Sequence, residues 1–254
     1  MRLRTEGLEE ALERIGGHTG VYIKNLATGE VWARGASDPI EAASVIKLPV
    51  MIEAFRAAAA GELSLGETHA LRDGERLPSC GTLKAMHTGI EMTLLDLVRL
   101  MIIVSDYAAT NILIRRLGME NVNRTIEALH LTGTRVNRLL FDAEASARGI
   151  INTVSAADMG RVLEGLHNGE IVSREASRQM LDILLDQQLN GKLPFYLHDR
   201  DIDVAHKTGE DENLTHDVGI LFAEEPIVCC MLGERLYAPD YVRLMQDTAR
   251  QLCL

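Results

Sequence analysis

The sequence is short of positive charge. Its 26 Lys and Arg stand against 37 Asp and Glu, a formal net charge of −11 at pH 7. An acidic field of that size repels a phosphate backbone and an anionic bilayer surface, so neither nucleic acid nor a membrane is an expected partner. Long apolar runs are missing as well: none approaches the roughly 20 residues of a membrane-spanning helix. The opening MRLRTEGLEEALERIGG also lacks the apolar stretch of a secretory signal. The sequence as written is therefore expected to be cytoplasmic, and periplasmic or secreted if a leader has been removed. Cysteine is scarce, and Cys80, Cys229, Cys230 and Cys253 lack metal-ligand spacing. Cys229 and Cys230 are neighbours on an expected strand, pointing to opposite faces, and read as free buried thiols. The histidines do not cluster and no feature of composition implies a cofactor, so neither a metal nor a cofactor is expected. Repeats and low-complexity tracts are absent too, and with 46% apolar and 25% charged residues the chain is neither fibrous nor disordered.

What is present is enough chain, 254 residues, for one large domain or two interlocked ones. Residues 5–15 carry an amphipathic helical pattern. Thr19–Ala27 and Glu30–Arg34 then alternate apolar and polar side chains around Thr28-Gly29, the pattern of a hairpin. Helical spacing follows in Ile46–Ala60, Leu94–Val104, Ala108–Leu117, Asn121–Leu129, Ala156–His167 and Arg174–Leu189. Thr93, Ser155 and Ser173 are placed as N-caps, and Gly61, Gly118 and Gly169 as stops. Strand character returns at Ile202–Lys207, Val218–Phe222 and Ile227–Leu232, before a last helix at Asp240–Cys253. The expected fold class is α/β of the α+β kind, with one antiparallel sheet flanked by N- and C-terminal helices and an all-α segment inserted between its halves. Residues 1–47 with 196–254 would form the sheet subdomain and 48–195 the helical one, with a ligand cleft between them.

Three short motifs carry chemistry. Ser44-Val45-Ile46-Lys47 opens a helix, and one helical turn puts Lys47 on the face of Ser44. A serine hydroxyl is a weak nucleophile until a base takes its proton, and lysine does so only if burial or nearby positive charge lowers its pKa. The helix start also offers N–H groups for an oxyanion. The plain alternative is an N-capping serine and a solvated lysine. Ser105-Asp106-Tyr107 lies between two expected helices, where a cap is again the plain reading. Lys207-Thr208-Gly209 ends an expected strand: the lysine places positive charge, the threonine can hold a carboxylate, and the glycine lets a ligand approach the backbone. Its plain alternative is an ordinary strand end.

The order of these motifs resembles the class A β-lactamase and penicillin-binding protein superfamily, whose members carry such a triplet, and the resemblance runs over nearly the whole chain. It implies that Ser44 is acylated with Lys47 as general base, that Ser105 passes a proton to the departing nitrogen, and that Lys207 keeps the local potential positive. It also implies an oxyanion site between the N–H groups of Ser44 and Glu210, a carboxylate held by Thr208, and a scaffold role for Asp106 and Asn111.

Three departures stand beside the matches. Tyr107 occupies the position where the superfamily usually has an asparagine that holds the substrate's acyl side chain. Residues 141–152 contain no Glu-x-x-x-Asn for deacylation, leaving Asp142 or Glu144 to activate a water or to pair with Arg138 or Arg148. Facing Lys-Thr-Gly, where an arginine is common, stands Thr215-His216-Asp217 beyond an acidic loop Glu210-Asp211-Glu212. There His216 would supply a donor to the substrate, or satisfy a local bond, and Asp217 would repel a second carboxylate. The function these residues imply is a serine hydrolase acylated by a small β-lactam or a related amide or ester, with slow deacylation. The alternatives are an esterase, amidase or D-amino-acid peptidase on the same scaffold, and a penicillin-binding sensor that does not turn over.

Overall fold

A computed structural model describes residues 2–78 and 80–254. The chain begins with helix α1 (Leu8–Ile15) and the hairpin β1 (His18–Asn25) and β2 (Val31–Arg34), then β3 (Ile40–Glu41) and a tight 3₁₀ turn, Ala43–Ile46, that runs directly into α2 (Lys47–Ala59). Strands β4 (Thr68–Ala70) and β5 (Glu91–Thr93) pair with each other ahead of α3 (Leu94–Ile103), α4 (Tyr107–Leu117), α5 (Met119–Ala128) and the short α6 (Ala143–Ala147). After β6 (Thr153–Val154), which pairs with β3, come α7 (Ala156–Asn168) and α8 (Arg174–Leu185). The strands β7 (Val204–Asp211), β8 (Leu214–Leu221) and β9 (Ile227–Glu234) and helix α9 (Ala238–Cys253) complete the chain.

The main sheet has the order β2-β1-β9-β8-β7 and every pairing in it is antiparallel, so residues from both ends of the chain meet where β1 pairs with β9. The expected architecture is the one observed. The caps act as their residue types require: Thr93, Ser155 and Ser173 accept from the N–H groups of Asp96, Asp158 and Ala176. At Thr93 the Asp96 carboxylate also accepts from the Thr93 N–H, completing a capping box. Helix α8 stops at Leu185, short of the expected Leu189, because Gln188 N–H leaves the helix to donate to Ile103 O and the Gln187 side chain accepts from the next two backbone N–H groups.

Two differences bear on the site. Strand β7 continues to Asp211, so Lys207-Thr208-Gly209 lies inside the strand rather than at its end, and β8 already begins at Leu214. The expected acidic loop shrinks to a two-residue turn, Glu212-Asn213, because Asp211 already pairs with Leu214. Asn213 sits at φ 59°, a left-handed conformation asparagine tolerates.

The sheet is buried on both faces. Ala205, Val218, Ile220, Val228, Cys230 and Leu232 pack into the core shared with helices α2–α5, α7 and α8, while Val204, Leu221, Cys229 and Met231 pack against α1 and α9. The strand period of two thus sends Cys229 and Cys230 to opposite cores. The core on the helical side is continuous from the sheet through α2, α3, α4, α5, α7 and α8, which fixes the helices rigidly against the strands. No helix among the described residues is long and apolar enough to cross a membrane.

Leu97 is fully buried at the centre of that core. Leu97→Ala is expected to cost about 2–5 kcal/mol of unfolding free energy, whereas Thr93→Ala, which removes only the cap, should cost about 1 kcal/mol. Urea denaturation of both variants checks the ranking.

Candidate active site

The 3₁₀ turn positions Ser44 and Lys47. Its entry residue, Ala43, is held at φ 41°, and Val45 N–H donates to Ala42 O while Ala42 N–H donates to Asn152 O. Ser44 is 3% exposed and Lys47 wholly buried, and the Lys47 Nζ to Ser44 Oγ distance is 2.9 Å. Lys47 is therefore not the solvated lysine of the plain reading.

The α3–α4 junction presents Ser105 to the same ammonium. Lys47 Nζ donates to Ser105 O at 2.7 Å and to Ser105 Oγ at 2.9 Å. Ser105 has φ 56°, a left-handed conformation that a non-glycine residue holds only when its surroundings enforce it. Asp106 enforces it. One carboxylate oxygen accepts from Ala109 N–H and caps α4, and the other accepts from Thr82 and Leu83 N–H. A Cβ on Gly81 would fall 2.3 Å from Asp106 Oδ2, so only glycine lets the 80–83 segment close over this carboxylate. Asn111 exchanges two hydrogen bonds with the Leu140 backbone and ties α4 to the segment below the cleft. Asp106 and Asn111 hold the loop and do not touch Ser44.

Strand β7 supplies the third element. Lys207 Nζ donates to Ser105 Oγ at 3.1 Å and to Thr208 O at 2.8 Å. The approach is close: a Cβ on Gly209 would lie 3.0 Å from His216 Cδ2, 3.2 Å from Val45 Cγ2 and 3.3 Å from Ala43 Cβ. Gly209 lets the sheet dock on the Ser44 turn, a packing reason rather than the ligand approach expected from the sequence. Ser44, Lys47, Ser105 and Lys207 thus come together from three separated stretches of chain.

Burial sets the electrostatics. Desolvation, with the Lys207 charge nearby, pushes the Lys47 ammonium well below the usual lysine range. Burial also lowers Lys207, to about 7, against the opposing pull of Asp217. The Tyr107 ring covers Lys47, with Nζ 4.3 Å from its centroid, and its phenol lies near the Ser44 hydroxyl and the Cys80 thiol. Burial raises that phenol to about 12. Among the described residues no group of three or more His, Cys, Asp or Glu is arranged to hold a metal.

The remaining expected residues are placed as follows. Thr208 is turned to the α9 side of β7, where it lines a groove of about 240 Å³ with Asn190, Lys192 and Glu210. The Glu210 side chain is exposed and pairs with Lys192 Nζ at 3.1 Å. Asp142 caps α6 by accepting from Ala145 N–H and lines a cavity of about 230 Å³ with Tyr107, Arg138, Phe141 and Asp211. Glu144 is exposed in the first turn of that helix. Arg138 pairs with Glu41 at 3.5 Å, not with either carboxylate.

His216 and Asp217 do not face a substrate. His216 is fully buried, its Nε2–H donating to Glu41 O at 2.7 Å and its Nδ1 accepting from Gly233 N–H at 3.1 Å, so both ring nitrogens are taken and the residue staples β3 to β9. Burial holds its pKa near 4, leaving it neutral. Asp217 points to the opposite face of the sheet, where it takes His206 Nδ1 at 2.8 Å and the Leu193 N–H at 3.0 Å. It does not meet a carboxylate in the cleft.

Sequence reasoning missed Lys192. It is 4% exposed and donates to the carbonyls of Gly209 and His216, but it sits in Asn190-Gly191-Lys192-Leu193-Pro194, which reads as a polar loop with no periodicity to reveal burial.

With this geometry in hand, the likeness to known proteins is specific. The model of the β-lactamase enzyme family matches residues 4–253. The chain belongs to the β-lactamase enzyme family. A β-lactamase from Rhodobacter capsulatus is 28% identical over 194 residues, which cover 74% of this chain and 66% of that relative, just under two thirds of its length. Among solved structures, a β-lactamase from Sphaerobacter thermophilus superposes with a TM-score of 0.91 at 28% identity, covering 98% of this chain and 96% of that one. The structure of PBP-A gives 0.87 at 28% identity, covering 98% and 95%.

The buried lysines of this β-lactamase-family site leave a thermodynamic signature. Lys207 titrates near 7 when folded and near the ordinary lysine value, 10.5, when unfolded. Between those values the unfolded chain binds the extra proton, so stability rises with pH across the window and is lowest below it. Replacing Lys207 with Met should flatten that rise, as read from urea midpoints at pH 7 and pH 10.

Proposed function

We propose that this chain is a serine acyl-transfer hydrolase that opens a β-lactam, or a related amide or ester, at Ser44 in the cleft between the sheet subdomain (1–47 with 196–254) and the helical one (48–195). The observation that carries the reading is Lys47 Nζ within 2.9 Å of both the Ser44 and the Ser105 hydroxyl, with Lys207 on the far side of Ser105. A neutral amine at Lys47 has two N–H donors, for Ser105 O and Oγ, and one lone pair, for the Ser44 proton.

In the acylation step the Ser44 Oγ–H proton passes to Lys47 Nζ as the Oγ–C bond forms. The carbonyl pair moves onto oxygen, where the N–H groups of Ser44 and Glu210 accept the charge. When the C–N bond breaks, the nitrogen takes a proton from Ser105 Oγ, which recovers one from Lys47. Lys207 holds the Ser105 hydroxyl in line. Thr208, beside it on β7, is the residue for a substrate carboxylate. Water then hydrolyses the acyl ester and frees Ser44. Support comes from PBP-A, a variant of which forms an acyl-enzyme complex with penicillin G.

A second reading is a penicillin-binding protein that is acylated once. It is favoured by the placement of Asp142, one of whose carboxylate oxygens caps α6, and of Glu144, exposed on the same helix, neither of which is committed to activating a water. Excess chromogenic cephalosporin separates the two. Sustained product release means a hydrolase, a burst of about one equivalent means a trap, and no release with no adduct moves the substrate to simple esters or amides.

Lys47→Ala should slow covalent labelling of Ser44 by penicillin by about 10²–10⁴-fold with the fold retained; labelling at the parental rate, read by intact mass, removes the base from the scheme. Tyr107→Asn uncovers Lys47 and is expected to speed acylation by penicillins, whereas an unchanged rate would make the ring purely structural.

A further inference from the structure

β7 is an edge strand, so its backbone groups point alternately toward β8 and toward open space. Lys207 Nζ takes Thr208 O on the open, cleft-facing edge. Glu210, two residues on, turns its N–H to that same edge, and Gly209 between them turns its carbonyl the other way. That carbonyl is occupied. Lys192, from the loop between α8 and β7, brings Nζ to 2.9 Å from Gly209 O and 3.0 Å from His216 O. Leu193 N–H, beside it, is anchored to Asp217 Oδ2 at 3.0 Å, which pins the loop over the sheet.

Gly209 C=O and Glu210 N–H are the two ends of one peptide unit, and since no described peptide bond is cis they point in opposite directions. A cation bound at the oxygen draws electron density along the amide and makes the N–H at the far end a stronger donor. We infer that Lys192 is a positioning residue that polarises the Gly209–Glu210 peptide and thereby strengthens the Glu210 N–H as an oxyanion donor. This rests on the reading of Ser44 as nucleophile and Glu210 N–H as part of its oxyanion site. The Lys192 ammonium is held charged in this buried place by the Glu210 carboxylate, 3.1 Å away.

The test acylates the parental chain, Lys192→Met, Lys192→Arg and Glu210→Gln with penicillin G carrying a ¹³C-labelled lactam carbonyl. It reads the single-turnover acylation rate, the half-saturating concentration and the infrared stretch of the acyl-ester carbonyl. Lys192→Met should lower the saturated rate by about 10-fold, less than outright loss of an oxyanion donor, with the half-saturating concentration within about twofold. The ester band should move to higher wavenumber, and Lys192→Arg should restore both. Glu210→Gln removes the carboxylate that opposes Lys192, so the band should move to lower wavenumber, a shift of opposite sign that general damage to the fold does not produce. An unshifted band in Lys192→Met overturns the inference. If that variant fails to fold, an unshifted band in Glu210→Gln, changed only at an exposed side chain, overturns it instead. A parental chain that forms no adduct rejects the serine reading and this inference with it, whereas adducts with identical bands reject Lys192 alone.

Discussion

Everything in the site depends on one hydroxyl, that of Ser105, held between two buried lysines. Lys47 and Lys207 both donate to its Oγ, at 2.9 and 3.1 Å, and both are sealed from water. Two ammonium groups about one oxygen apart in a dry site cannot both keep their protons at ordinary cost. Burial and the Lys207 charge push Lys47 well below the usual lysine range, while the charge of Asp217 opposes the shift at Lys207, so Lys47 is the one that gives way. A lysine amine of lowered pKa beside a serine hydroxyl is thus a consequence of packing two like charges into one small volume.

Holding that arrangement is the task of the fold, and the devices are local and costly. Ser105 and Ala43 both adopt left-handed backbone conformations on either side of the reacting centre. The strain at Ser105 is held by Asp106, whose carboxylate satisfies three backbone N–H groups and demands a glycine at position 81. The sheet reaches the Ser44 turn because position 209 carries no side chain. The staple through His216 links β3, just ahead of that turn, to β9 in the middle of the sheet. Each device is a short polar or glycine contact seated in the continuous core, and a rigid core is what turns such contacts into fixed distances.

This division explains what could be read from the sequence. Helices α2–α5, α7 and α8 and the two-ended sheet were legible because their apolar periodicities and caps are local properties, and the serine-lysine spacing at 44 and 47 follows from helical geometry alone. The partnership of Ser105 and Lys207 with that pair was suggested only by motif order, since nothing local fixes a contact across 102 residues. Lys192 was missed and Asp217 misread for one reason, and the same reason left His216 between a donor to the substrate and the local bonds it makes. Polar residues in loops and at strand ends look solvated until tertiary structure buries them, and whether a strand ends at residue 207 or 211 decides which side chains face which layer.

The departures from the family pattern act on one step each. Tyr107 lies over Lys47, so its quadrupole favours the charged amine, opposing the desolvation that makes the base. Of the carboxylates around the site, Asp142 caps a helix through one oxygen, Glu41 pairs with Arg138 and Asp217 lies on the far face of the sheet, while Asp211 lines the cavity beside Tyr107. On the proposed reading, acylation draws on groups already in contact, whereas hydrolysis must also recruit a water. On that reading, the ratio of the rates at which the covalent bond forms and breaks is the quantity that separates a hydrolase from a binding protein on this scaffold.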